Sequence, residues 1–286
     1  MYKSNQTLVR QVLRIIFVCL ILTVFLTPDS YSQGNAPTVY VGVNFIKVRP
    51  GKQGQYQQLI DKYGKKINEY FYKKDNLLGW YLYKTLVPSG SSVDYNYASV
   101  NVVTTLSSLL DPSVSSKEII KKVFPEMSDK MISDLMAKYD SCREVVRSEI
   151  YVPVPGASTG DSTNPAPAKY MEVDMMRPTE GKTDDYIKME TDVFKPIHAE
   201  RIKSGYLRSW GLYQRAFPDE RSGFEFVTVN FLDNLDKMGG YEDAVKKVTP
   251  QTDINAMFKQ TAATRTLIRS EIWKLVDFVD RSNTKK

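Results

Sequence analysis

Residues 38–48, TVYVGVNFIKV, alternate apolar β-formers with small or polar side chains, the period-two pattern of a strand. Pro50-Gly51 punctuates it. Tyr56, Ile60, Tyr63, Ile67 and Tyr70 then recur at helical spacing among Lys, Gln and Asp, so one stripe faces a core. LLGWYLYKTLV and DYNYASVNVV flank PSGSS, which reads as a hairpin. A helical stretch carrying Ile119, Ile120, Val123, Met131, Leu135 and Met136 follows. REVVRSEIYVPV is the last strand. The order is β-α-β-β-α-β, a split βαβ plait.

The same order is written twice. Gly51-Lys52 aligns with Gly181-Lys182 at an offset of 130, and GWYLYK (79–84) with SWGLYQ (209–214). Asn101 then matches Asn230, and Arg147-Ser148-Glu149-Ile150 matches Arg269-Ser270-Glu271-Ile272. The offset slips only where loops are expected, which fits a tandem duplication. Four segments result: a signal peptide over 1–32, a first ferredoxin-like repeat over 38–154, a flexible linker over 155–168, rich in Gly, Pro, Ser and Thr, and a second repeat over 169–280. The fold class is α+β. A four-stranded sheet with helices on one face needs its other face covered. The two units are therefore expected to pack sheet against sheet and form an intrachain pseudo-dimeric α/β barrel.

Strand alternation sorts the side chains of that barrel. Arg147, Glu149 and Tyr151 share one face of the last strand of the first unit, and Arg269, Glu271 and Trp273 share the matching face of the second. With the Val/Ile faces assigned to the helices, these residues point inward. The same assignment sends Tyr97, Ser99 and Asn101, and Phe226, Thr228 and Asn230, into the lumen, with Asn44 and Asp174 beside them. Tyr81, Tyr83 and Tyr213 join them, and Gly211 leaves space in the second unit. Two readings stay open. The Arg–Glu pairs satisfy one another and fix how the units dock. Alternatively, an Arg fork holds an anionic or carbonyl group while Glu or Tyr handles a proton. The candidate ligand-binding set is Arg147, Glu149, Tyr151, Asn101 and Tyr83, with Arg269, Glu271, Trp273, Asn230, Tyr213 and His198.

The βαββαβ order, the Pro50-Gly51-Lys52 helix start, the aromatic central hairpin and the final RSEI strand resemble the dimeric α/β-barrel superfamily, nearest its NIPSNAP-like and antibiotic-biosynthesis-monooxygenase-like groups. Fused pairs of such units also resemble chlorite-dismutase-like heme proteins. The resemblance implies cofactor-free oxygenases, heme degraders, isomerases and proteins of unassigned role alike, so it implies a fold without selecting a reaction.

Charge and composition narrow the rest. The 286-residue chain is 42% hydrophobic and 25% charged, enough for a sizeable core. Its net charge is +6, of which Lys3, Arg10 and Arg14 against Asp29 supply two; no Lys/Arg block remains, so nucleic acid is not expected as a partner. That basic start, the 12-residue apolar run Ile15–Leu26 and Ser30-Tyr31-Ser32 read as an export signal cut before Gln33. The mature protein is expected to be periplasmic or extracellular, without stable membrane insertion, and open to homo-oligomerisation. Cys142, the single cysteine beyond the signal, is expected as an inert thiol at a helix-to-strand junction. His198 is the only histidine, so an ordinary zinc site is excluded. No cofactor is expected, with heme on His198 as the alternative. The function expected is binding of a small organic ligand in the lumen; a cofactor-free oxygenase or isomerase and a non-catalytic protein-interaction module are the alternatives.

Overall fold

The structure is a computed structural model that describes residues 38–282, except 75–76, 111–115, 161–165, 219–222 and 252. The expected signal peptide lies outside the described residues. Eight strands are described: β1 (Tyr40–Val48), β2 (Gly79–Val87), β3 (Tyr97–Val103), β4 (Arg143–Gly160), β5 (Tyr170–Pro178), β6 (Ser209–Arg215), β7 (Phe226–Leu232) and β8 (Arg265–Val279). They close into one barrel in the order β1-β3-β2-β8-β5-β7-β6-β4, and every pairing is antiparallel.

The helices lie outside. α1 covers residues 53–73, with a π turn at Ile60–Gly64, and α4 covers 183–203, with a π turn at Glu190–Phe194. Between them come α2 (Ser116–Val123) and α3 (Asp129–Cys142), and α5 (Tyr241–Val248) and α6 (Ile254–Thr264) follow β7; single helical turns lie at Ser107–Leu110 and Leu235–Lys237. The tyrosine stripe of α1 does what its spacing implies. Tyr56 and Ile60 are buried with Tyr63 and Ile67 against them, in one cluster with Trp80, Leu82, Tyr97 and Ile132 from the barrel and α3. Capping is local: Ser128 accepts from the Met131 N–H, and Asp253 from Asn255 and Ala256. Among the described residues no helix is long and apolar enough to cross a membrane.

Closure differs from the expected face-to-face packing. The strand order within each half is β4-β1-β3-β2 and β8-β5-β7-β6, and the halves meet edge to edge through β2–β8 and β4–β6. Edge pairing satisfies the rows of backbone N–H and C=O groups that two stacked open sheets would leave bare. It also gives the expected linker more structure than its composition suggests. β4 runs through residues 155–160, where Ser158, Thr159 and Gly160 pair with Gly211, Trp210 and Ser209. Cys142 sits fully buried where α3 passes into β4, its thiol against the Tyr139 carbonyl.

Each first strand reaches its helix through a left-handed glycine, Gly51 at φ 75° and Gly181 at φ 71°, with open space around both. Alanine there meets no neighbour but must hold a backbone that L-residues disfavour. Gly51→Ala and Gly181→Ala should each lower stability by about 1 kcal/mol. Gly54→Ala, within α1 and equally unobstructed, should raise it by a few tenths to about 1 kcal/mol. Urea denaturation midpoints at constant m-value check both signs.

Candidate functional site

The barrel encloses a cavity of about 320 Å³. Val41, Val43 and Phe45 enter it from β1, Met171, Val173 and Met175 from β5, and Val227, Val229 and Phe231 from β7. Tyr83, Tyr151, Tyr213 and Trp273 supply the aromatic walls. Tyr83 and Trp273 lie tilted with centroids 6.1 Å apart. Burial raises the pKa of Tyr83, and of Tyr213, so both hydroxyls stay neutral and able to donate.

One end of the cavity is shut. Phe45, Tyr151, Met175 and Trp273 are all buried there, and behind them lie two carboxylates, Glu149 and Glu271, which are 6% and 0% exposed. Glu149 takes Arg147 Nε at 3.0 Å and a short hydrogen bond from the Tyr151 hydroxyl, with Arg215 Nη2 at 3.4 Å. Glu271 takes Arg269 Nε at 2.5 Å, the Trp273 indole N–H at 2.6 Å and the Tyr95 hydroxyl at 2.5 Å. Each carboxylate thus has an arginine and an aromatic donor from its own strand. It also has a third partner from the other half of the chain: Arg215, from β6, reaches Glu149, and Tyr95, from the β2–β3 hairpin, reaches Glu271. Tyr95 also carries Arg147 and Arg269 over its ring, at 4.8 and 5.6 Å. Burial first and Glu271 second raise its pKa, so it remains a donor.

The other end is open. Val41, Tyr81, Tyr213 and Phe231 are only partly buried there, and Ala166-Pro167-Ala168 runs beside the mouth. Tyr81 donates to Asp280 at 3.1 Å. Among the described residues, Arg208 is the only charged side chain lining the cavity.

The predicted residues therefore fall into three places. Tyr83, Tyr151, Tyr213 and Trp273 line the lumen. Arg147, Glu149, Arg269 and Glu271 close its end. Asn101, Asn230 and His198 are not in it, and this corrects the sequence assignment. Ala98, Val100 and Val102 turn inward, whereas Tyr97, Ser99 and Asn101 turn toward the helices. Phe226 likewise packs with Trp210 and Tyr186 outside the barrel, and Asn230 donates to Glu172. Asn44 and Asp174 lie on that outer face too, accepting from Ser148 and Ser270. The inner face of a closed barrel is the drier of two buried faces, so it, and not the helix side, takes the small aliphatics. Gly211 opens less space than expected, because the Tyr213 ring folds back over it, 3.1 Å from where a β-carbon would stand.

On the outer side of β1, β3 and β4 a second cavity of about 960 Å³ lies beneath Leu109 and Ile119 and includes Asn101. The corresponding region under α4 is packed. His198 is buried and stacks on Trp210, with centroids 4.9 Å apart at 13°, and its Nδ1 lies 3.2 Å from Arg201 Nη1. Burial, then Arg201 and Arg265, lower its pKa to about 3. Nearby, burial pushes Glu190 up to about 7 even though Arg265 Nε lies 3.3 Å away.

No family model matches this sequence, and no curated protein matches it. Solved structures do. A candidate monooxygenase from Fusobacterium nucleatum subsp. nucleatum superposes with a TM-score of 0.53 at 9% identity, covering 86% of this chain and 96% of its own. A heme-binding protein from Thermus thermophilus gives 0.46 at 10% identity over 84% and 92% of the two chains. A chlorite dismutase from Candidatus Nitrospira defluvii in complex with cyanide gives 0.48 at 10% identity over 84% and 91%. The fold is that of the dimeric α+β-barrel proteins. The expectation of no cofactor is corrected to this extent: one protein of similar fold, that from Thermus thermophilus, binds heme. His198 does not fit that role as the chain is folded. Trp210 covers its ring face, Arg201 faces its Nδ1, and neither cavity is lined by it.

Two outcomes test the buried charges. Glu271→Gln should cost about 3 kcal/mol, because it removes the buried counter-ion of Arg269 and leaves it only the exposed Asp94, 3.6 Å away. Tyr95→Phe should cost about 1 kcal/mol. The double variant should cost less than the sum, by denaturation, since both changes remove one contact. For Glu190, the folded pKa of about 7 lies above the ordinary 4.5. The unfolded state then releases its proton first, and stability falls as pH rises from about 4.5 to about 7. Glu190→Gln should flatten that decline in a pH series of thermal melts.

Proposed function

We propose that the barrel lumen is a binding site for one small, largely apolar organic molecule, in an exported chain built from two copies of one βαββαβ unit. The observation that carries this reading is the cavity itself: about 320 Å³, walled by Val, Met, Phe and neutral Tyr, closed at one end and open at the other. Sites of this size with an apolar lining and few polar groups are typical of small-molecule binding. Binding is favoured over acid–base catalysis because both carboxylates at the closed end are engaged by arginine and aromatic donors.

Duplication is supported by the shared strand order of the two halves, by the π turns at Ile60–Gly64 and Glu190–Phe194, and by the paired Arg–Glu–aromatic clusters. Export is supported by the basic start, the apolar run Ile15–Leu26 and the small residues Ser30 and Ser32.

The neutral fluorophore N-phenyl-1-naphthylamine should brighten on binding the protein. Val229→Phe, which fills the middle of the lumen, should remove that signal while leaving the melting temperature within a few degrees. Equal fluorescence with both proteins would place the dye elsewhere and sink the lumen reading.

A further inference from the structure

The lumen reading leaves the ligand's polar end undefined, and the mouth of the cavity supplies it. Arg208 immediately precedes β6 and lines the cavity with Ser209 beside it. Its side chain is only 11% exposed. A guanidinium in such a place needs counter-charge, because desolvating an ion without it is costly. Its one ion-pair partner among the described residues is Asp233, which meets a single terminal nitrogen at 3.2 Å and is itself 49% exposed. That is a peripheral, solvent-screened partner. The planar fork of an arginine accommodates a second oxygen acceptor on its remaining N–H groups.

The fold does not require a cation here. Arg208 and Leu78 occupy the same position in the two halves: the Arg208 N–H donates to the Phe231 carbonyl and the Leu78 N–H to that of Val102. Leu78 is an exposed apolar residue. Below Arg208 the lining is aliphatic and aromatic down to Trp273 and Tyr151, with no other cation among the described residues.

Resting on the lumen reading, we infer that Arg208 anchors the head group of the lumen ligand, which is an apolar molecule carrying a single carboxylate. The body lies among Val100, Val173 and Val229, and the carboxylate stays at the mouth, where it accepts from the guanidinium and keeps part of its hydration. One cation at the mouth matches one negative charge. A dianionic phosphate would lack a second.

Decanoate and decanol share a tail and differ in the head, so they serve as probes, each displacing N-phenyl-1-naphthylamine from the full chain at a pH where decanoate is ionised. Wild-type protein should bind decanoate about tenfold or more tighter than decanol, the size of a charge-assisted hydrogen bond. Arg208→Gln should bring the two within about twofold by weakening decanoate more than decanol. Asp233→Asn, which removes the competing carboxylate, should tighten decanoate alone. Equal affinity of the two probes for the wild type, or equal weakening of both by Arg208→Gln, would overturn the assignment to Arg208 while leaving the lumen site standing. Failure of the dye itself to bind would instead remove the lumen reading.

Discussion

Two buried carboxylates hold this molecule closed. Glu149 and Glu271 sit at one end of the barrel, nearly or wholly excluded from water, and each is satisfied by residues from both halves of the chain. A lone ion in that position would be prohibitive. The halves must therefore meet with their edges in one register, because only then do Arg215 and Tyr95 reach across. The β2–β8 and β4–β6 seams supply the backbone bonds, and the carboxylates supply the specificity. With this end sealed, the lumen opens toward the other, beside Ala166-Pro167-Ala168.

The two clusters are equivalent in place but not in chemistry. Tyr95 in the first hairpin stands where the second has Phe224, and Arg215 in the second stands where the first has Thr85; the backbone bonds Thr85–Asn96 and Arg215–Glu225 fix the equivalence. One half thus lends a hydroxyl and the other a guanidinium. The same divergence marks the open end, where the first half has Leu78 in the position that Arg208 holds in the second. Such exchanges between equivalent positions give a barrel with two similar walls but distinct ends.

Much of this was legible in the chain. The duplicated RSEI strands, the tyrosine stripe of α1 and the GWYLYK and SWGLYQ hairpins identified the elements, their order and the inward face of β2, β4 and β8. The faces of β1, β3, β5 and β7 were not legible. Both faces of those strands are buried, so alternation separates two sets of residues without saying which is inside. Val43 and Val100 suit a lumen as well as a helix interface, and Asn101 and Asn230 looked like lumen polar groups because the helix side was assumed to be the apolar one. His198 followed a different logic. Its stack on Trp210 depends on contacts between α4 and β6 that no local pattern encodes. Arg208 carried no signal either, since one arginine before a strand is ordinary until its neighbours are known.

The claim everything else depends on is that the lumen is an apolar space and not a filled core. Xenon enters dry apolar cavities and leaves polar or packed regions empty. A crystal pressurised with xenon should show a bound atom enclosed by Val100, Val229 and Trp273. A lumen without xenon, its volume taken up by the Tyr83, Tyr213 and Trp273 side chains, would contradict the account.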